Sequence, residues 1–174
     1  MTYLSMFKPA GRGGVVAALA LGIAGSMAAA PAAFARDVEL VITISQITAL
    51  DPADVWLAGP DDFYARVTID GQQFTTPIKR QQNQATPNWK VSKVVSSRKT
   101  KVRLEIFDKD IGKADDKIDI NRVTSPKRDL DFTVDTRRCR VLEFSDPFRC
   151  GDSIRRAGNE PKKAEVVFNV DVLR

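Results

Sequence analysis

Nine of the 22 acidic residues of this 174-residue chain fall in two short segments. Asp51, Asp54, Asp61 and Asp62 lie in one, and Asp108, Asp110, Asp115, Asp116 and Asp119 lie in or beside the other. Carboxylates held near one another repel and raise each other's pKa, so such a cluster calls for a compensating cation or for full exposure to water. Calcium suits a set of this kind, because it takes roughly six to eight oxygen ligands and tolerates irregular geometry in flexible loops. The chain contains no histidine, which leaves zinc and copper poorly provided for. A plainer reading is that loop aspartates only cap turns and are solvated. Enzymatic readings fare worse. There is no histidine for general base work, no G-x-S-x-G, no P-loop and no dinucleotide fingerprint. A glycosidase-like carboxylate pair has no cleft to serve it, so a small hydrolase is the weakest alternative and the chain reads as no enzyme.

The elements that position these loops are strands. Residues 38–45 mix β-branched residues with period-two alternation, as a half-buried strand does. Residues 50–62, with Pro52, Gly59 and Pro60, form a long connection. Residues 63–69 are strand-like again, Asp70-Gly71 is a two-residue hairpin turn, and residues 73–78 run back antiparallel. Residues 81–88 read as a loop, and residues 89–95 and 101–107 as strands, the second with Val102, Leu104 and Ile106 on one face. The acidic loop 108–117 follows. Residues 118–123, 130–134, 141–144 and 165–173 complete the strand candidates, and residues 146–163 read as a long surface connection. Seven or eight short strands without a helical period predict an all-β antiparallel sandwich.

At the N-terminus, Lys8 and Arg12 precede an apolar run rich in alanine and glycine, which ends at Ala33-Phe34-Ala35. This is the pattern of a secretory signal peptide, too weakly apolar for a spanning helix. Residues 1–35 are therefore expected to be a signal peptide cleaved after Ala35. That leaves residues 36–174 as one domain in a secreted or periplasmic protein. Removing Lys8 and Arg12 from 27 basic residues leaves 25 against 22 acidic ones, a balance of +3. So slight an excess does not argue for nucleic acid. Cys139 and Cys150 are expected to pair as a disulfide, which an oxidising compartment permits.

The acidic loops also resemble a known family. Phe107-Asp108-Lys109-Asp110 followed by Asp116 has the D-x-D-x5-D spacing of the third calcium-binding loop of C2 domains, the calcium and phospholipid modules of synaptotagmins and conventional protein kinases C. Leu104-Glu105-Ile106-Phe107 is similar to the strand that delivers that loop, and Thr86-Pro87-Asn88-Trp89 to the N-P-x-W turn before it. Asp61-Asp62-Phe63-Tyr64-Ala65-Arg66-Val67 is similar to the segment closing the first loop, with Phe63 in place of a proline. Asp119 stands where the family commonly has glycine. The resemblance implies an eight-stranded C2-like sandwich with calcium held by Asp62, Asp108, Asp110 and Asp116, by the Lys109 carbonyl between them, and by Asp54, with Asp51 as competitor for that last place. Trp56, Leu57 and Ile111 at the loop tips are then candidates for contact with an anionic phospholipid membrane, although Trp56 could equally fold back as a lid on the core. Lys79, Arg80, Lys90 and Lys93 resemble in position the family's lipid-binding basic face, though such a set is more often a solvated surface. The expected function is that of an exported monomeric module, binding calcium and through it a membrane surface or a macromolecule. The alternative is a calcium-independent adhesion or scaffold sandwich that binds a protein partner.

Overall fold

Strand β1 (Val38–Ala49) shows how the alternation is kept over twelve residues. Leu40, Ile42 and Ile44 point into the core, and the next inward residue is Ile47, three positions on. A register shift between Ile44 and Gln46 absorbs the extra residue. Without this bulge Gln46 would face the core, because a one-residue slip in a strand exchanges its faces.

The computed structural model describes residues 36–51, 61–80, 82–123, 126–144 and 147–174. These lie in a unit that begins at Phe34 and ends at Arg174. The expected signal peptide with its cleavage point at Ala35, and the loop residues Asp54, Trp56 and Leu57, lie outside the described residues. After β1 come β2 (Phe63–Ile69), β3 (Gln72–Thr75), β4 (Gln84–Ala85), β5 (Trp89–Val95) and β6 (Lys99–Asp108), then β7 (Asp116–Ile118), β8 (Leu130–Asp135) and β9 (Arg140–Leu142). Strands β10 (Phe148–Arg149), β11 (Ile154–Ala157) and β12 (Ala164–Leu173) complete the chain. There is no helix among the described residues. Twelve strands exceed the expected eight chiefly because β4 and β10 are two-residue pieces attached to longer neighbours and β11 lies in the stretch expected to be a surface connection.

The strands form two antiparallel sheets. One runs β11-β12-β1, with β5 beside the first half of β1 and β4 beside its second half. The other runs β10-β9-β8-β6-β2-β3, with β7 continuing beside the end of β6. Leu40, Ile42, Ile44, Phe168 and Val170 of the first sheet and Val67, Ile69, Leu104, Ile106 and Val134 of the second lie in one buried cluster. Packed inner faces of two sheets are what the alternating pattern requires. Asp70 and Gly71 both take positive φ, 46° and 78°, as the tight turn between β2 and β3 demands.

Several segments differ from the sequence expectation: β3 ends at Thr75, short of the expected 78, and β4 lies within the expected loop 81–88. The strand expected over 118–123 stops at Ile118. Asp119 then turns its carboxylate onto backbone amides, including that of Asn121 at 3.0 Å, which takes the chain out of the ladder. The expected surface connection 146–163 contains β10 and β11, and β11 extends the first sheet through Ile154, a fully buried residue.

Candidate functional site

The ends of three neighbouring strands bring the acids together. Asp108 closes β6 and pairs across the sheet with Phe63 of β2 and with Asp116 of β7. The Asp62 amide donates to Asp108 Oδ1 at 2.7 Å, and the Lys109 amide donates to the Asp62 carbonyl at 3.0 Å. Burial pushes the Asp108 carboxyl above its ordinary value, and the negative charges of Asp110, Asp62 and Asp116 push it further, against the opposing effect of the Asp62 amide. Of the expected ligand carboxylates, Asp62, Asp110 and Asp116 are thus near enough to act on Asp108. Asp110 Oδ2 is buried and accepts no hydrogen bond, a costly state for a carboxylate oxygen unless a cation completes it.

Ammonium groups stand among these acids. Lys113 Nζ lies 3.2 Å from Asp110 Oδ1 and 3.2 Å from Asp116 Oδ2. Lys162 Nζ reaches Asp116 Oδ2 at 2.6 Å, and its amide faces Asp51 Oδ2 at 3.4 Å. Lys162, and after it Lys113, holds the Asp116 carboxyl below the usual carboxylate range, while Asp116 and Asp110 raise the Lys113 ammonium. Arg80 approaches Asp62 at 3.8 Å. Among the described residues no three acidic side chains form a ready-made ion cage. The donor set, all oxygen with one buried carboxylate oxygen unmatched, suits calcium chemically. The ammoniums of Lys113 and Lys162 stand in for the charge that such an ion would supply.

The remaining residues of the loops have other duties. Lys109 Nζ pairs with Asp115 at 2.8 Å, and Asp115 also accepts the Tyr64 hydroxyl at 2.7 Å. Lys109 and Tyr64 together hold the Asp115 carboxyl low; burial and the bond to Asp115 raise the Tyr64 hydroxyl. Tyr64 stacks on Phe107 with ring centroids 5.2 Å apart, and the Arg66 guanidinium lies 4.4 Å above Phe107. This anchors the base of the acidic loop to the outer face of the second sheet. Ile111 is 94% exposed at the tip of that loop, beside Gly112 with φ at 82°.

Asp119, one of the nine clustered acids, is structural. It is 1% exposed, and its carboxylate accepts the amides of Asn121, Asn159 and Glu160 at 3.0, 2.9 and 2.8 Å. Gly158 lies so close that a Cβ there would collide with the Asp119 carbonyl. This clamp fixes the segment that carries Lys162. Sequence reasoning missed both Lys162 and the role of Asp119, and no local signal marks a contact between residues 46 positions apart. Of the basic set, Lys93 donates to the carbonyls of Ile69 and Asp70 at 3.1 Å and so caps the hairpin. Lys90 is exposed.

The model of the C2 domain family matches residues 38–137, more than half of the chain. The chain belongs to the C2 domain family. Comparison with curated protein sequences finds no match. Among solved structures, human GIVD cytosolic phospholipase A2 in complex with methyl gamma-linolenyl fluorophosphonate aligns with a TM-score of 0.54 and 16% identity, over 79% of this chain. The C2 chain spans only 17% of that phospholipase. A single C2 domain of plant Extended Synaptotagmin 1 aligns with a TM-score of 0.54 and 7% identity, over 78% of this chain and 94% of that one. Extended-Synaptotagmin 2, solved as a pair of C2 domains with calcium bound, aligns with a TM-score of 0.52 and 13% identity, over 78% of this chain and 45% of that one. At these identities the likeness is one of fold. The C2 family match ends at residue 137, and just beyond it Cys139 and Cys150 form a disulfide with Cα atoms 5.2 Å apart.

Proposed function

We propose that this C2 domain is a non-catalytic calcium-binding module that uses the bound ion to attach to an anionic membrane surface. Asp62, Asp108, Asp110 and Asp116 would supply the carboxylates, with the Lys109 carbonyl between them and Asp54 completing the set. The observation that carries the reading is the convergence of four acids at the ends of β2, β6 and β7, where Asp108 is pushed up by burial and then by its acidic neighbours, and one oxygen of Asp110 is buried without a donor. The calcium-bound state of Extended-Synaptotagmin 2 supports the ion as the one to test. The exposure of Ile111 supports membrane contact, because an apolar tip beside a bound cation can enter the interface while calcium bridges anionic headgroups; Trp56 and Leu57 are proposed for the same contact from the sequence.

Export is part of the same proposal, with cleavage after Ala35. The disulfide, which persists in an oxidising compartment, supports it. Extracellular calcium modules work at dissociation constants of roughly 0.1–1 mM, and lysines competing for the carboxylates suit an affinity of that order.

Calorimetric titration and thermal melting with calcium test the reading. Wild type is expected to bind and to melt higher at about 1–10 mM calcium. The Asp108→Asn with Asp110→Asn variant, which keeps an acceptor for the Asp62 amide, is expected to show no shift. No response of the wild type in that range rejects calcium binding. The ion pairs of Lys113 and Lys162 favour a second reading for that outcome, in which the lysines neutralise the acids permanently and the sandwich binds a protein partner without calcium.

A further inference from the structure

Charge of the opposite sign gathers at the other end of the sandwich. Strand β6 starts at Lys99 and ends at Asp108, so the two ends lie about 30 Å apart. In register across β6, β8, β9 and β10 stand Lys99, Asp135, Arg140 and Arg149, a row about 14 Å wide. Directly paired residues share one face of a sheet, so Lys99, Arg140 and Arg149 project from the same side, and all three are exposed. The β8–β9 turn adds the exposed Arg137 and Arg138. Arg174 donates to the Arg137 carbonyl at 3.1 Å, which brings the C-terminal residue to the same place. The turn carrying Arg98 is held there too, through its carbonyl, which accepts the Thr136 amide at 2.9 Å.

The carboxylates in contact with this set are engaged mainly by backbone amides. Asp135 is buried, accepts the amides of Arg138 and Arg137 at 2.9 and 3.1 Å, and pairs with Arg98 at 3.7 Å. Asp152 accepts the Arg149 amide at 2.7 Å. Among the described residues, Arg98 is the one member of this basic set with an ion-pair partner. Like charges left together in this way repel, which favours an anionic partner. The band is also held firmly. Cys139 and Cys150 flank Arg140 and Arg149 and join the strands that carry them, and the Cys150 amide donates to the Cys139 carbonyl at 3.1 Å. Most of it lies beyond residue 137, outside the segment matched to the C2 family.

We infer that this band binds a linear anionic polysaccharide carrying sulfate or carboxylate groups. The guanidinium fork matches such oxyanions with two parallel hydrogen bonds, and a row running across four strands suits a linear chain of charges. Among the described residues the exposed large apolar side chains are Leu50, Ile78, Val94, Ile111, Val123 and Leu173. None is aromatic, so the band lacks the aromatic platform of single-stranded nucleic-acid sites, and the two nearest it, Val94 and Leu173, lie within sheet strands and not at the loop tips of a membrane anchor.

Heparin oligosaccharide is the probe, titrated into the purified protein by calorimetry in EDTA so that calcium plays no part. Wild type is expected to bind, with affinity falling as salt rises. Arg140→Gln with Arg149→Gln is expected to weaken binding by about tenfold or more and to lower the slope of log affinity against log salt by roughly 2, one for each arginine charge removed. Arg122→Gln with Lys127→Gln, exposed on the β7–β8 connection, removes the same charge elsewhere and is expected to change affinity less than about twofold. Should the first variant fail to fold, Arg137→Gln with Arg138→Gln in the exposed turn takes its place. Equal losses in the test and control variants overturn the inference, since only total charge would then matter. So does binding to anionic phospholipid vesicles or to duplex DNA as tight as that to heparin and equally dependent on Arg140 and Arg149.

Discussion

Replacing Asp119 by alanine is expected to destabilise the domain severely while leaving the four converging carboxylates in place. The side chain is 1% exposed and accepts three backbone amides, one from Asn121 and two from the 159–160 segment. A hydrogen bond to a charged group contributes roughly 1.5–3 kcal/mol net. Three such bonds removed together set an upper limit well above about 5 kcal/mol. Asn159 is exposed, so its amide regains water when the carboxylate goes, and the expected loss settles at about 3–5 kcal/mol. With an unfolding entropy of about 2.1 cal/mol/K per residue, the midpoint of a domain of this size should fall by roughly 10–17 °C. Urea unfolding followed by circular dichroism, beside thermal melts, measures both quantities. Gly158→Ala strikes the same clamp from the other side, because its Cβ would meet the Asp119 carbonyl, and it should lower stability as well. A loss below about 1 kcal/mol for Asp119→Ala, within the range of ordinary surface substitutions, refutes the clamp.

Lys113→Met removes the ammonium that bridges Asp110 and Asp116, and calorimetry should show tighter calcium binding than in wild type; equal or weaker binding means the lysine does not compete for the site. Cys139→Ser with Cys150→Ser opens a loop with a sequence separation of 11 and should cost about 2–3 kcal/mol in the chain-entropy model, measured by urea unfolding; no loss would show that β9 and β10 are held by packing alone. The Asp135 carboxyl is held below its ordinary range by the Arg138 amide first, with the Arg98 charge and the Arg137 amide behind it. A depressed folded pKa contributes stability above the unfolded carboxylate pKa and loses it as pH falls through the folded value. Asp135→Asn should therefore flatten the acid limb of the stability-against-pH curve, and an unchanged limb would show that Asp135 contributes nothing to it.

Much of the sandwich was legible because its signals are local. Period-two alternation gave β2 and β5 with their observed ends, and Asp70-Gly71 marked the turn between β2 and β3 through two positive φ values. β11 was not legible, because a four-residue strand with one buried residue, Ile154, in a charged stretch shows no period. The end of β7 was misjudged because Asp119 reads locally as one more loop acid. Its partners come from residues 159 and 160, about 40 positions away.

The sequence by itself determined the alternating faces, the hairpin and the spacing of Asp108, Asp110 and Asp116, since each depends on residues a few positions apart. Only the tertiary structure decided what surrounds those acids. Asp62 comes from a different strand, Lys162 arrives from near the C-terminus on a segment clamped by Asp119, and the arginines that form a band at the opposite end come from separate turns and strands. Charge acts through space, and its partners are set by how the sheets pack, which residue order alone does not encode locally.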